Sequence, residues 1–330
     1  MFTRRRFTAL VSVAAAAAPL AAPTVGRARE AYPARAVRVV VPWPPGGGVD
    51  TFGRIVQAAL ATRLGQTVMI DNIGGGSGRI GNQAAARAAA DGYTVLLVND
   101  SFAATEALPI PGTPPQRPAF DAVTLAISGP QGLFTHPRSG IRTVEEFAAA
   151  ARARPGVLNV GVPGLGSSQH LASELVLRAA GNLHVTHVPY RGGGPLMQDL
   201  IAGNVDAACV TFAAGAQHVG NGSLVPLAVT SKDRQAAFPK VPTIGETIAP
   251  GFEQATWMGF FVPRGTPAEY RDRLHAAIVA ALADPAVLPR LGELGFGPVG
   301  ADGPTFSRLF DETVRTFADI ATERQIVAGN

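Results

Sequence analysis

The chain has 330 residues, 47% of them hydrophobic and 16% charged, with one cysteine and a formal charge of +4. That length and apolar content allow a sizeable core and about two domains of roughly 100 to 200 residues each. Of the 28 basic residues, Arg4, Arg5, Arg6 and Arg27 precede residue 29 with no acid among them, which leaves 24 basic against 24 acidic residues and removes the case for a nucleic-acid partner.

Residues 1–28 join that basic start to an apolar stretch over 9–22 and small residues at Gly26 and Ala28, the pattern of a cleaved export signal. Thr3-Arg4-Arg5-Arg6-Phe7 is similar to a twin-arginine signal, and a general secretory signal fits the same residues. Either signal takes the protein out of the cytoplasm, and no later run sustains about 18 apolar residues, so the mature chain is expected not to span a membrane.

A strand is predicted over 37–41. The stretch Pro42-Trp43-Pro44-Pro45-Gly46-Gly47-Gly48-Val49-Asp50 then leads into a helix from about Thr51, whose Phe52, Ile55, Val56, Ala59 and Leu60 make one buried stripe. Strand, bare glycine loop and helix start together form an anion site built on backbone N–H groups, with Asp50 in the N-cap position. Strands over 67–70 and 93–98 with a helix from about Ile80 continue the alternation, which argues a parallel sheet with helices on its faces.

A proline-rich segment over 109–118 reads as an exposed loop before a strand over 122–127. A second series follows: a capping box at Thr143 and Glu146, strands over 157–160, 184–188 and 205–210, and helices after Ser168 and from Pro195. Cys209 falls in the last of those strands as buried bulk, and a lone thiol forms no intrachain disulfide. A strand over 257–262 and helices over 267–283 and 306–324 complete the chain. The predicted fold class is α/β with two lobes, each a mostly parallel sheet flanked by helices and the ligand cleft between them. Lobe one is assigned to 32–130 plus 255–330 and lobe two to 131–254.

Ligands of open α/β sheets bind beyond the carboxyl ends of strands. Four glycine-rich loops, 44–50, 74–81, 163–170 and 190–195, are placed there, and between them they hold Arg79 and Arg191 as their formal cations. Anion recognition then falls to backbone N–H groups and to the hydroxyls of Ser77, Ser167 and Ser168, with Ser101 a further candidate.

An alternative reading is an exported NAD(P)-dependent oxidoreductase, because Gly76-x-Gly78-x-x-Gly81 follows a strand, opens a helix and has Asp100 about 20 residues on. Against it, the signature follows the second strand rather than the first. No G-x-S-x-G is present. His184 and His187 stand three apart on a strand and face opposite sides, so no metal site is expected from them, and the linear sequence suggests no other cluster of His, Cys and carboxylates.

Across the mature chain a series of motifs resembles the Bug family, the extracytoplasmic receptors of tripartite tricarboxylate transporters. They are Tyr32-Pro33, the segment Val41 to Asp50 quoted above, Leu64-Gly65-Gln66, Asp91-Gly92-Tyr93-Thr94, Gly164-Leu165-Gly166-Ser167-Ser168-Gln169-His170-Leu171, His187-Val188-Pro189-Tyr190-Arg191-Gly192, Asp199-Leu200-Ile201-Ala202-Gly203-Asn204-Val205-Asp206, Val241-Pro242-Thr243-Ile244 and Gly265-Thr266-Pro267. The resemblance implies a monomeric periplasmic binding protein without catalytic residues or cofactor. Its lobes would close on a small carboxylate and deliver it to the transporter's membrane subunits. Ligand contacts would map to Gly46, Gly47, Gly48 and Asp50 in lobe one and to Gly166, Ser167, Ser168 and His170 in lobe two, with Tyr190 and Gly192 next.

Structural roles compete for several of these residues. Asp50, Ser167 and Ser168 suit helix caps, His170 suits a satisfied polar group on its helix, and Trp43 and Trp257 suit the core. Arg79 departs from the family pattern: it grips a second carboxylate if it faces the cleft, and does nothing if it faces solvent.

Overall fold

A computed structural model describes residues 32–327, so the export-signal reading lies outside the described residues. β1 (Val37–Val41) coincides with the predicted run. Val37, Val39 and Val41 join one apolar cluster and Val40 another, so this strand needs cover on both faces. α1 (Gly48–Leu64) supplies it on the first face through Phe52, Ile55, Val56 and Leu60. It begins three residues before the expected Thr51, because Gly47 takes the N-cap in an extended backbone.

β2 (Val68–Asn72), a single 3₁₀ turn at Gly76–Gly78, α2 (Arg79–Ala86), β3 (Thr94–Asn99) and α3 (Ser101–Ala107) follow. Beyond the exposed proline-rich loop runs β4 (Phe120–Thr135), 16 residues long, of which the expected strand is only the middle. The next elements are α4 (Val144–Ala153), opened by the predicted capping box, β5 (Asn159–Val162), α5 (Ser168–Ala179), β6 (Thr186–Pro189), α6 (Gly193–Ala202), β7 (Ala207–Thr211), α7 (Phe212–Ala216) and β8 (Val225–Val229). β9 (Ala255–Pro263), α8 (Ala268–Leu282), α9 (Leu288–Glu293), β10 (Gly297–Asp302) and α10 (Gly303–Glu323) end the fold.

The strands run in the order β2-β1-β3-β9-β4-β7-β5-β6, with β8 and β10 also on β4. β1 pairs in parallel with β2 and β3, as β5 does with β6 and β7, while β9 pairs antiparallel with both β3 and β4. The path is continuous because β4 belongs to both ends of it. Its residues through Pro130 pair with β9, whereas from Gln131 onward they pair with β7 and β8. The chain returns where Gln254 N–H bonds Thr230 O and Ala255 pairs with Pro130.

Two apolar clusters sandwich the first sheet, one with α1 and α8 and the other with α3 and α10. Two more sandwich the second, one with α4 and the other with α6. Each lobe therefore has its own core. α5 also reaches across, since its Leu171 and Leu175 pack in the cluster that holds Phe310, Phe317 and Ile320 of α10.

Candidate functional site

The glycine-rich loops leave the carboxyl ends of β1, β2, β5 and β6, and Ser101 sits just past the end of β3. In the first loop Gly46 has φ of 86°, and Gly47 caps α1 without any side-chain acceptor. The first amides of α1 are left unshielded, at the positive end of a 17-residue helix.

The N-cap role expected of Asp50 is a correction. Asp50 lies inside the first turn, 2% exposed, and accepts from Gly46 N at 2.8 Å, Arg54 Nε at 2.9 Å and Asn72 Nδ2 at 3.0 Å. Burial pushes its carboxyl up, but the bonds from Arg54, Gly46 and Asn72 outweigh that and hold it below its ordinary value. Its charge is turned back into its own loop, where it fixes Gly46.

The second loop packs on the first, with the Cβ position of Gly78 3.4 Å from the Trp43 ring and that of Gly74 3.1 Å from Pro44 Cδ. Ser77 is exposed on it at φ 55°. Arg79 follows neither reading: its guanidinium donates to the carbonyls of Thr105 at 2.7 Å and Leu108 at 3.1 Å, closing the carboxyl end of α3. Gly81 is explained by packing, since a Cβ there would lie 2.7 Å from Pro42 Cα. Asp100, which a dinucleotide site would need against a ribose, has no exposed surface. Both observations count against the oxidoreductase alternative.

In the third loop Ser167 caps α5 by accepting from His170 N at 3.2 Å, as its residue type predicts. Ser168 is fully buried, and its Oγ lies 3.1 Å from Ser101 Oγ, which joins the helix starts of α3 and α5 across the seam between the lobes. His170 is 4% exposed, and Gly166 N–H donates to its Nδ1 at 3.0 Å. The ring proton is therefore on Nε2. Burial, together with the neighbouring His187, takes its pKa down to about 4, so the imidazole is neutral.

In the fourth loop Tyr190 donates its phenol to Asp199 at 2.8 Å, and burial with that bond pushes it up to about 12. Gly192 caps α6 at φ 107°, and side-chain space beside Gly192, Gly193 and Gly194 is open. Of the two tryptophans, Trp257 is core, bonded through Nε1 to Thr313, and Trp43 is half-buried against the α1 cluster.

The statement that His and carboxylate residues form no cluster needs correction. The i, i+4 spacing on α5 and the neighbouring β6 bring His170, Glu174 and His187 within 4.8 Å of one another, while His184 is exposed and outside the group. The protonation pattern does not suit an ion. His170 Nδ1 is occupied by the Gly166 amide and its Nε2 carries the proton. His187 Nδ1 faces Glu174 Oε1 at 3.2 Å and its Nε2 faces Ser173 Oγ at 3.0 Å. Glu174 completes the chain by pairing with Arg324 Nε at 3.1 Å. The arrangement is a polar brace between the end of α10 and the loop that presents Ser168.

A further group was missing from the sequence reading. Asn99 Oδ1 and both amide atoms of Gln131 are buried without a hydrogen-bond partner among the described residues, and the buried Asp100 carboxyl beside them is faced by the hydroxyls of Ser168 and Thr256. They sit where β3 ends, where β9 starts and where β4 changes sheets. Met258 pairs with Asn99 and lies 3.6 Å from the Cβ position of Gly48, so this group adjoins the first loop. The available signal was a polar pair, Asn99-Asp100, ending an otherwise apolar strand.

Comparison with known proteins identifies the family and the fold. Residues 52–326 match the family described as tripartite tricarboxylate transporter family receptor. The chain is 33% identical to the protein BugT of Bordetella pertussis, over 96% of this chain and 97% of that one. It is 38% identical over 301 residues to the UPF0065 protein in the tcbD-tcbE intergenic region of Pseudomonas sp. (strain P51), covering 91% and 89% of the two chains. Among solved structures, an R. palustris protein with adipate superposes with a TM-score of 0.82 at 31% identity, over 90% of this chain and all of that one. MatC of Rhodopseudomonas palustris with bound malate gives 0.77 at 31% identity, over 88% and 99% of the two chains.

Proposed function

Because the chain belongs to the tripartite tricarboxylate transporter receptor family, we propose that it is a periplasmic receptor which closes its two lobes on a small carboxylate and presents it to the membrane subunits of such a transporter. The observation that carries this reading is the meeting of Ser101 and Ser168 across the seam, which brings the start of α3 and the serine-capped start of α5 together. Amide donors at helix N-termini hold a carboxylate without a cationic side chain.

Gly46, Gly47 and Gly48 with Ser101 form the lobe-one half of the site, and Gly166, Ser167 and Ser168 form the lobe-two half. Ser77 and Gly192 lie at its margins. Asp50 and His170 hold the two halves in shape, and Tyr190 buttresses α6. The lobes divide at 130/131 and 254/255, the chain acts as a monomer, and the export signal is removed on the way to the periplasm.

Carboxylates bound in relatives at 31% identity support the ligand class. A thermal-unfolding screen of mono- and dicarboxylates tests it: a ligand at 100 times its Kd stabilises by about 2.7 kcal/mol. A complete panel that leaves the melting temperature unmoved and gives no heat in calorimetry refutes the proposal. Size-exclusion chromatography and N-terminal sequencing of secreted protein check the monomer and the cleavage.

A further inference from the structure

Resting on the carboxylate-receptor reading for what enters the cleft, we infer that α5 is a seam helix held by both lobes at once, so that the receptor without ligand rests with its lobes docked along this helix and admits ligand through brief opening.

α5 carries two buried stripes where an ordinary helix on a sheet carries one. Ser173, Val176, Leu177 and Ala180, spaced i, i+3, i+4 and i+7, face lobe two. Val176, Leu177 and Ala180 lie in the cluster that holds α4, and Ser173 Oγ is 3.0 Å from His187 Nε2 of β6. Ser168, Leu171, Leu175 and Arg178, spaced i, i+3, i+7 and i+10, face lobe one. Ser168 meets Ser101, while Leu171 and Leu175 join Phe102 of α3 and Phe310 and Phe317 of α10. Arg178 pairs with Glu323 at 3.1 Å, and beside it Glu174 pairs with Arg324. Arg324 also reaches Asn182 Oδ1 at 3.5 Å, just beyond the helix. The contact with lobe one therefore runs the whole length of α5.

Its composition decides the resting state. A face that meets water at every opening is expected to be polar, because exposing apolar surface costs free energy in proportion to its area. The lobe-one stripe is instead apolar in the middle, with Leu171 at 0% and Leu175 at 4% exposure, and polar at both ends. That is the layout of a lasting interface with a polar rim. Opening draws both leucines out of the cluster of α3 and α10, uncovers the rings they pack on, and separates Glu174 from Arg324, whose side chains are 14% and 13% exposed. None of these contacts uses a ligand. The docked state therefore forms by itself, and ligand enters from a minor open state and is trapped when the stripe returns.

Double electron–electron resonance on the secreted protein reads the separation of the lobes. Nitroxides at Gln83→Cys on α2 and Gln198→Cys on α6 report one lobe each; both positions are exposed and outside the proposed site, and buried Cys209 stays unlabelled. With no ligand added, a single narrow distance is expected, which saturating adipate or malate does not shorten. Leu175→Ala, and separately Arg178→Gln with Arg324→Gln, are expected to raise a longer-distance population about tenfold. Thermal unfolding reports whether each variant folds, and the exposed arginine pair keeps the test open if Leu175→Ala does not. A wild-type distance that shortens on adding adipate or malate overturns the docked resting state, and so do folded seam variants with the wild-type distribution. The distances without ligand stand apart from the receptor reading, which fails instead if the carboxylate panel gives no heat in calorimetry.

Discussion

Replacing Asp50 with Asn probes whether the first anion loop is held from behind. The carboxylate is 2% exposed and accepts from Gly46 N–H, Arg54 and Asn72. Hydrogen bonds to a charged acceptor contribute about 1.5–3 kcal/mol each, less for a partner in solvent. Arg54 is 51% exposed, so most of the loss comes from the Gly46 and Asn72 bonds. An amide keeps one acceptor but turns its NH₂ toward a donor, giving a net cost of about 2–3 kcal/mol. For a chain of this size that lowers Tm by roughly 4–6 °C. Since Gly46 loses its anchor, affinity for whichever carboxylate binds falls about tenfold, equivalent to ~1.4 kcal/mol.

Differential scanning calorimetry at neutral pH and titration calorimetry read the two effects. The pH dependence has a fixed sign: the folded carboxyl is held below its ordinary value, so the stabilisation is present above about pH 4 and disappears as the pH falls through the lowered value. The variant has a shallower acid limb. If Tm, acid limb and affinity are all unchanged, the carboxylate does not hold the loop and the reasoning fails.

Four further outcomes follow from the geometry. Gly81→Ala forces a methyl group into the Pro42 backbone and is expected to cost at least about 3 kcal/mol, read as a large Tm loss or insoluble protein; a near-neutral result removes the packing explanation. Arg79→Gln, which uncaps α3, lowers stability by about 1 kcal/mol while Kd for the bound carboxylate is unchanged, and a lost affinity would restore Arg79 to the cleft. Glu174 is pushed up by burial but held low overall by His187 and Arg324, so its contribution is complete above its ordinary value near 4.5 and lost in more acid solution; Glu174→Gln flattens stability below that pH in urea titrations. Cys209 is buried and its thiol is pushed up to about 12, so it reacts with a thiol-specific chromophore only on unfolding, and rapid native-state labelling contradicts its placement.

Much of the fold was readable because its strands carry their pattern locally. β1 is a valine run buried on both faces, and the α1 stripe has helical spacing. Short or unusual elements were not. α3 and α7 have seven and five residues, too few for a periodic signal, and β10 is a largely exposed strand of Gly, Pro and Val. β4 was read short because Ser128, Gly129 and Pro130 look like a turn, whereas they continue a strand that changes partners.

At the candidate site, glycine and serine residues announce helix starts by residue type alone. The partner a side chain chooses depends on what folds over it. Arg79 finds the carbonyls of α3 and Asp50 finds Gly46, while His170 meets a histidine 17 positions away on β6, and none of these encounters has a local sequence signal.

The seam between the lobes explains why neutral loops suit a receptor of this kind. Each helix start offers amide donors already fixed by the helix, so a carboxylate gains them without immobilising long side chains. Either lobe alone leaves its donors facing water. At the proposed site, where Ser101 Oγ lies 3.1 Å from Ser168 Oγ, the same dipoles act in a lower dielectric than water. With the ligand at the proposed site, affinity scales with the fraction of molecules that are closed, because only closed molecules present both helix starts to one ligand. The brace from Arg324 through Glu174 and His187 to His170, together with the packing of Leu171 and Leu175 against α10, bears on that fraction from outside the cleft. It ties the loop presenting Ser168 to the helix that ends the other lobe's core. For the proposed site, Arg324→Gln is therefore expected to weaken carboxylate binding in titration calorimetry while the residues placed against the ligand stay in position, and an unchanged affinity refutes the coupling.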